Sequence, residues 1–527
     1  MTTLKFRLVM SALLFAATAF ADVKPADIVA DGAVLQQNTP VRIWGTAETG
    51  ETVEIEFAGQ QRSAVADSEG QWMIILDEMQ TSAEGRTMVI RGSGTAQPVE
   101  LKNLLVGEVW LAGGQSNMET TMQNYSRTTQ PDIDSANDPL LRMVTIPRLE
   151  YEEQNDYKPE WKETTPQNVR GFSATAYYFA KNLREKLKVP VGIVSCSVGA
   201  TPAEAWMSRE TLSSSPDLKR ILDAYDREAK KYSADFENYL RLKEVRDRLA
   251  QERHEMYMAG VKPLPPYPAE IMGPRNYKRP AGLHETMLTQ TIPYTLRGVI
   301  WYQGENNANS AGGFHYRTVF QALINEWRTE LMNPAMPFLF VQLATFGPEH
   351  EQSPYWPELR EAQQWTEDHV EHSGMVVLAD GGEIDDIHPH SKPKAGLRLS
   401  LLARSMVYGE KELVCRGPRP EKATCENDRI ELAFKNIGSG LVLKPVETTP
   451  FEICGEDGKY VPAEAKLVDG KIIVSADGVA NPKHVRYGWK IWFEPALFNA
   501  EGLPASPFRT DDFAPVTQNR YYLDNIQ

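Results

Sequence analysis

Residues 107–118 read Gly-Glu-Val-Trp-Leu-Ala-Gly-Gly-Gln-Ser-Asn-Met, an apolar run that leads into two glycines and a serine. This pattern is typical of a buried strand that ends in a tight turn. Ligands bind at the carboxyl ends of the strands in open α/β folds, so the turn would expose the Ser116 hydroxyl there. The glycines allow backbone to approach a substrate closely, and the N–H of Ser116 could help to hold an oxyanion. Ser116 is therefore a candidate nucleophile, although serine after Gly-Gly is also a common helix N-cap.

The chain around this turn alternates buried strands with helices. Short apolar runs predict parallel strands, and longer segments have the composition and spacing of helices. The predicted strands are 189–194, 298–302, 338–342 and 375–378, and the predicted helices are 177–187 and 397–406. This alternation predicts a doubly wound α/β domain over residues 105–410.

Other segments depart from that pattern. Alternating apolar and polar residues predict a small β-sandwich over residues 22–104, and strand-like runs return in a C-terminal β region, residues 411–527. A charged stretch at about 212–268 carries apolar residues at helical spacing and predicts a helical insertion. Residues 1–21 combine Lys5 and Arg7 with a short apolar core and Ala-Phe-Ala, the pattern of a cleaved signal peptide.

Composition narrows the class of protein. The chain has 527 residues, of which 42% are hydrophobic and 24% charged, which excludes general disorder. The net charge of −15 disfavours nucleic acid and anionic membrane surfaces as partners. No segment after the leader is apolar enough to span a bilayer, so we expect an exported protein, periplasmic or secreted. An oxidising compartment permits disulfides, and Cys415 and Cys425 are close enough in sequence to form one.

A second candidate element is Asp385-Asp386-Ile387-His388-Pro389. A serine nucleophile needs a base, and the base needs a carboxylate that orients its imidazole. Asp385, three residues before His388, can supply that carboxylate from the same loop. His388 and His390 could instead ligate a metal, but they lack a third partner nearby in sequence. Since no CxxC pair or HExxH motif occurs, a metal site has little support, and a serine mechanism requires no cofactor.

Two further stretches follow predicted strands and could donate hydrogen bonds. They are residues 197–201, with Gly199, and residues 301–307, Trp-Tyr-Gln-Gly-Glu-Asn-Asn. A backbone N–H and a side-chain amide are the donors that an oxyanion hole uses. Gly199 and Asn306 are the candidates, because all these elements end at one edge of the same predicted sheet.

The motifs Gly-Gln-Ser-Asn-Met, Ser-x-Gly-x-Thr-x-x-Glu-Ala-Trp, Trp-Tyr-Gln-Gly-Glu-x-Asn and Asp-Ile-His-Pro occur here in that order. Together they resemble the sialate O-acetylesterase family, a branch of the SGNH (GDSL-like) hydrolases. The similarity covers nearly the whole mature chain. It extends to Val-Leu-Gln-Gln at 34–37 and Ala-Ser-Pro-Phe-Arg-Thr-Asp at 505–511. The resemblance implies an SGNH-type domain and a serine esterase that releases acetate from O-acetylated sialic acid. Esterases of acetylated xylan or xyloglucan oligosaccharides share the architecture, and a non-catalytic sugar-binding protein is the alternative of another class.

The resemblance also implies roles for residues. Ser116 becomes the nucleophile, His388 the base and Gly199 an oxyanion donor, although the family's Gly-Gly pair is Gly199-Ala200 here. The third donor is Asn306 by the superfamily's Gly-x-Asn pattern and Asn307 by that of this branch, with Gln303 a further candidate. The superfamily spacing selects Asp385 as the acid, whereas the branch pattern leaves open Asp386 or a Ser–His dyad.

Overall fold

The computed structural model describes residues 22–94, 97–149, 157–233, 236–259, 261, 265, 273, 276–347 and 353–520. The signal peptide predicted at residues 1–21 lies outside the described residues. In the part of the chain that is described, no helix is long and apolar enough to cross a membrane.

The N-terminal region is built mostly of antiparallel strands, as its alternating sequence predicts. They are β1 (Lys24–Pro25), β2 (Val34–Gln36), β3 (Val41–Thr46), β4 (Thr52–Phe57), β5 (Gln60–Val65), β6 (Gln71–Leu76), β7 (Ser82–Gly92) and β8 (Val99–Gly114). Strands β1, β3 and β6 form one sheet, and β5, β4, β7 and β8 pair in a second, in which β2 lies parallel to β8. Buried residues alternate with partly or fully exposed ones along β4, because a strand that covers a core buries only one face.

Strand β8 joins this region to the central sheet. Its first half pairs with β7, and its second half lies between the parallel strands of the central sheet. The boundary predicted at residue 104 therefore falls inside one continuous strand. As a result, the N-terminal β region and the site at the end of β8 share a rigid element.

The central sheet has the order β10-β9-β11-β8-β12-β13-β14. Its other strands are β9 (Asp138–Thr145), β10 (Lys162–Thr164), β11 (Val191–Ser197), β12 (Gly298–Tyr302), β13 (Phe338–Val341) and β14 (Ser373–Val376). All neighbouring pairs are parallel except β9 and β10. The sheet contains every strand predicted for the central domain, so the structure is mixed α/β with a parallel sheet.

Helices cover both faces of this sheet. The α-helices of the described residues are α1 (Ser116–Glu119), α2 (Ser126–Ser135), α3 (Ala174–Leu187), α4 (Arg209–Ser213), α5 (Pro216–Ser233), α6 (Phe236–Met258), α7 (Gly282–Thr286), α8 (Tyr316–Glu330), α9 (Tyr355–His369) and α10 (Lys392–Met406). Strand β12 shows why two layers form: Val299 and Trp301 belong to one hydrophobic core, and Ile300 and Tyr302 to the other. Helices α8 and α9 complete the first core, and α3 and α10 the second. Helices α5 and α6 lie within the insertion predicted at about 212–268.

The C-terminal region consists of antiparallel sheets with the orders β15-β16-β21-β20, β17-β23 and β19-β18-β22-β24. Their strands are β15 (Arg419–Glu426), β16 (Arg429–Lys435), β17 (Leu441–Leu443), β18 (Phe451–Cys454), β19 (Val461–Pro462), β20 (Glu464–Val468), β21 (Lys471–Ser475), β22 (His484–Tyr487), β23 (Leu497–Asn499) and β24 (Phe508–Arg509). The strand-like runs seen in the sequence at 430–434 and 471–474 lie in β16 and β21.

The disulfide that the sequence permits between Cys415 and Cys425 does not form in the structure. All four cysteines lie in described residues and are free thiols. Cys415 is buried against the core that α3 and α10 share, whereas Cys425 is exposed near the end of β15. Closeness in sequence did not bring the two sulfurs together, because strand β15 carries Cys425 away from that core.

Candidate active site

The turn after β8 brings Ser116 to the edge of the central sheet. Gly114 has a φ of +134°, and a Cβ at that position would lie 2.2 Å from the carbonyl oxygen of Tyr302 on the neighbouring strand. Only glycine fits this close approach, so the chain can turn here. Ser116 then begins α1, where its N–H has no partner within the helix. The structure therefore contains the predicted strand, glycine turn and accessible serine.

His388 reaches Ser116 from the loop between β14 and α10. Its Nε2 lies 2.8 Å from the Ser116 Oγ, although the two residues are 272 positions apart in sequence. Burial lowers the pKa of His388, and Lys392 lowers it further, while Asp386 acts in the opposite direction. A histidine with a lowered pKa is neutral near pH 7 and can accept a proton from the serine.

The two aspartates of this loop differ in position. Asp386 Oδ1 lies 3.6 Å from His388 Nδ1 and accepts the backbone N–H of His388 at 2.7 Å. The first distance is an ion-pair contact and too long for a hydrogen bond. Asp385 is exposed, and its carboxylate has no hydrogen bond or ion pair with the described residues. The geometry therefore favours the alternative, Asp386, over Asp385 as the carboxylate beside the histidine. Because both share one short loop, spacing alone could not separate them.

Gly199 lies beside Ser116, but its N–H is already engaged. It donates to Glu119 Oε2 at 2.7 Å, and a Cβ on Gly199 would be 3.4 Å from the Ser116 Cβ. Partial burial raises the pKa of Glu119, while the Gly199 N–H and Arg148 oppose that shift. The next residue, Ala200, has a φ of +56°, a left-handed conformation that costs an L-residue about 1–2 kcal/mol. The alanine thus adopts the conformation that a second glycine would adopt without strain.

The three amide side chains that could be the third oxyanion donor differ in burial and in their hydrogen bonds. Asn306 is partly exposed, and its Nδ2 donates to the carbonyl of Ala200 at 3.0 Å. Gln303 and Asn307 are buried and bonded to each other at 2.7 Å. Because their amides also bond to the 201–204 segment, they support the floor of the site. Asn306 is therefore the amide that lies next to the Gly199-Ala200 turn with a second N–H to offer.

A polar network beneath Ser116 was missed by the sequence analysis. Asn117 bonds through its side chain to Glu305, Ile387 and Lys392. Asn117 and Glu305 lie inside motifs that were singled out, so their positions could have been flagged. Lys392 begins α10 and carried no signal, because lysine at a helix start is usually solvated.

Two groups of side chains in the described residues have the composition of a metal site. Glu383, Asp386 and His390 offer ligand atoms within 4.8 Å of one another next to His388. His390 Nδ1 is already 3.0 Å from Glu383 Oε1, which explains the pairing without a cation. The second group is His284, Glu326 and Glu330, in which His284 Nε2 is 2.9 Å from Glu330.

A serine hydroxyl bonded to a histidine, with backbone and amide N–H groups alongside, is the arrangement of a serine hydrolase. Comparison with known proteins identifies the family within this class of enzymes. The family described as "Carbohydrate esterase, sialic acid-specific acetylesterase" matches residues 106–251 and 275–407, which is more than half of the chain. The chain belongs to this family and is a carboxylic ester hydrolase.

Individual relatives agree with this assignment. A sialate O-acetylesterase of Mus musculus is 27% identical over 510 residues, which cover 88% of this chain and 90% of that protein. The Homo sapiens sialate O-acetylesterase is 25% identical and covers 88% of each chain. Among solved structures, a carbohydrate acetylesterase from Xanthomonas citri is 32% identical with a TM-score of 0.76, covering 93% of this chain and 100% of that one.

Proposed function

We propose that the protein is an exported serine esterase that removes O-acetyl groups from sugars and has an SGNH-type doubly wound central domain. The observation that carries this proposal is the 2.8 Å hydrogen bond between Ser116 Oγ and His388 Nε2. A hydroxyl is a weak nucleophile at neutral pH, and a base bonded to it is what activates it. Export rests on the leader predicted at residues 1–21.

The mechanism follows from the positions of these groups. Ser116 Oγ attacks the acetyl carbonyl while His388 Nε2 takes its proton, and Asp386 stabilises the imidazolium. The oxyanion is held by the N–H groups of Ser116 and Gly199 and by Asn306 Nδ2, once the Glu119 carboxylate moves off Gly199. His388 then protonates the departing sugar oxygen. Water, deprotonated by the same histidine, releases acetate and restores Ser116. None of these steps requires a metal or a cofactor.

O-acetylated sialic acid is the substrate that the names of the mammalian relatives support. One observation favours a neutral acetylated sugar as the second candidate. The Glu119 carboxylate lies next to Gly199 and Ser116, where it would repel the carboxylate of sialic acid. Acetylated xylan and xyloglucan oligosaccharides are neutral and avoid this repulsion.

The proposal is tested by replacing the nucleophile. Ser116→Ala should abolish acetate release, and a fluorophosphonate probe should label the wild-type protein at Ser116 but not the variant. Circular dichroism checks that the variant is folded. Activity close to wild type in a folded Ser116→Ala protein contradicts the serine mechanism. Absence of acetate release and of labelling in the wild type supports the non-catalytic sugar-binding alternative.

The substrate class is tested separately with a panel. Acetate release is measured from O-acetylated sialic acids and from acetylated xylo-oligosaccharides under the same conditions. The sialate esters should give the higher kcat/KM if the protein acts on the substrate that the names of its mammalian relatives indicate. The neutral sugars should give the higher value if repulsion by the Glu119 carboxylate controls the choice of substrate.

A further inference from the structure

The network beneath Ser116 contains a lysine that is fully buried. Lys392, the first residue of α10, has 0% of its surface exposed, a position that lysine almost never occupies without a partner. Its Nζ contacts Asn117 Oδ1 and lies 5.1 Å and 5.4 Å from the ring centres of Tyr125 and Tyr302. Such a group costs free energy to bury, so its place next to the active site calls for a role.

The lysine helps to fix the orientation of the Asn117 amide. An ammonium group only donates hydrogen bonds, so the oxygen of the amide must face Lys392. The nitrogen then faces two acceptors, the backbone carbonyl of Ile387 at 3.0 Å and a carboxylate oxygen of Glu305. An amide turned the other way would place its oxygen against both acceptors. The cation and the two acceptors therefore all require the same orientation, and the cation is the partner that holds the amide oxygen.

This orientation connects the two halves of the site. Asn117 directly follows Ser116, and Ile387 directly precedes His388. The hydrogen bond from Asn117 to Ile387 therefore ties the serine turn to the histidine loop one residue away from each reacting side chain. Since the serine and histidine come from distant parts of the chain, few other contacts can fix their relative position so closely.

The charges around Lys392 also bear on His388. Glu305, Glu383 and Asp386 lie close enough to act on the charge of Lys392, with the two tyrosine rings alongside, and burial raises the pKa of Glu305. Burial lowers the pKa of Lys392 to about 7, and these carboxylates oppose that shift. The lysine is therefore protonated on the acid side of neutrality, where His388 titrates and where the cation lowers the pKa of His388.

We propose that Lys392 is a positioning residue that orients Asn117, and through it clamps the histidine loop onto the serine turn. This inference rests on the esterase function proposed above. It assigns Lys392 no contact with the substrate.

The test compares Lys392→Met with Lys394→Met. Methionine has a similar volume and removes only the charge and the donor. Lys394 lies on the same turn of α10, is 39% exposed and binds Asp380, so it is the matched control. For each protein we measure kcat and KM on a soluble acetyl ester and the rate of fluorophosphonate labelling of Ser116, both across pH 5–9. Folding is verified by circular dichroism.

Lys392→Met should lower kcat and the labelling rate, by about 100-fold if the reacting groups shift by about 1 Å. KM should stay within about threefold, because substrate contacts remain. The acid limb of the pH–rate profile should move to higher pH, because losing the cation raises the pKa of His388. Lys394→Met should match the wild type in all three quantities.

Unchanged kcat and an unmoved acid limb in Lys392→Met overturn the inference. A loss of kcat with an unmoved limb also overturns it, since general loosening would act in that way. If Lys392→Met does not fold, Asn117→Asp decides: it keeps the acceptor for Lys392 and removes the donor to Ile387. Asn117→Asp should lower kcat and shift the acid limb of the pH–rate profile to higher pH. Wild-type kcat and an unshifted limb in this variant would refute the positioning role. A wild-type protein that neither releases acetate nor takes the label refutes the proposed function instead.

Discussion

Asp386→Asn is the substitution that tests most directly which carboxylate assists His388. The sequence analysis favours Asp385 by its spacing, whereas the structure brings Asp386 Oδ1 to 3.6 Å from His388 Nδ1. Asparagine has the same shape and keeps an oxygen for the backbone N–H of His388. The change therefore removes the charge while leaving the loop intact. Asp385→Asn, on an exposed neighbouring side chain, is the matched control.

The magnitude follows from the distance and the exposure. Opposite unit charges near 3.6 Å attract by about 1 kcal/mol in water and about 4 kcal/mol near a protein surface. Because the Asp386 side chain is 44% exposed, solvent screening favours a value of about 1 kcal/mol. That energy stabilises the imidazolium formed during attack, so its loss should lower kcat roughly fivefold. A fully buried, hydrogen-bonded triad aspartate would cost more, about 10⁴-fold.

The assay is kcat for acetate release from a soluble acetyl ester at pH 7, with its pH dependence. Asp386 raises the pKa of His388, so Asp386→Asn should move the acid limb to lower pH. This is the direction opposite to that expected for Lys392→Met. Asp385→Asn should stay within about threefold of wild type. A severe Asp385→Asn with a mild Asp386→Asn would refute the geometric argument, and two mild variants would indicate a Ser–His dyad.

Two other predictions address the rest of the site. Glu119→Gln should raise kcat/KM about fivefold, because the hydrogen bond from the Gly199 N–H is about 1 kcal/mol weaker to a neutral acceptor, and that N–H is then more easily freed to bind the oxyanion. Glu69→Gln, on an exposed turn, is the control. A tenfold fall in kcat/KM for Glu119→Gln would mean that Glu119 acts on the substrate. Dialysis against EDTA should leave kcat unchanged, because Glu383 and His390 already satisfy each other; a loss that zinc or calcium restores would count against a purely serine-based mechanism.

Much of the fold could be predicted from local sequence. Strand β12 occupies residues 298–302, the range that its apolar run predicts, and β4 lies where alternation indicated a half-buried strand. These features depend on the periodicity of a few consecutive residues. The predicted boundary at residue 104 depends instead on whether β8 continues from one sheet into the next. A composition change cannot reveal that continuity.

The candidate site shows the same division. Ser116, His388, Gly199 and Asn306 could be selected from the sequence because each follows a predicted strand or lies in a motif. The choice between two adjacent aspartates could not be made in this way. It depends on side-chain directions within a loop, and these are set by contacts with distant segments.

The sequence by itself therefore determined which residue types meet at the edge of the central sheet, because strand ends in a parallel sheet converge there. Only the tertiary structure decided which side chains of the site contact one another. The Glu119 carboxylate meets the Gly199 N–H across 80 positions, and Lys392 meets Asn117 across 275. No local pattern encodes the burial of Lys392, since its neighbours Asn117, Tyr125 and Tyr302 come from distant segments of the chain. Packing fixed the distances and charges on which the chemistry of the site depends.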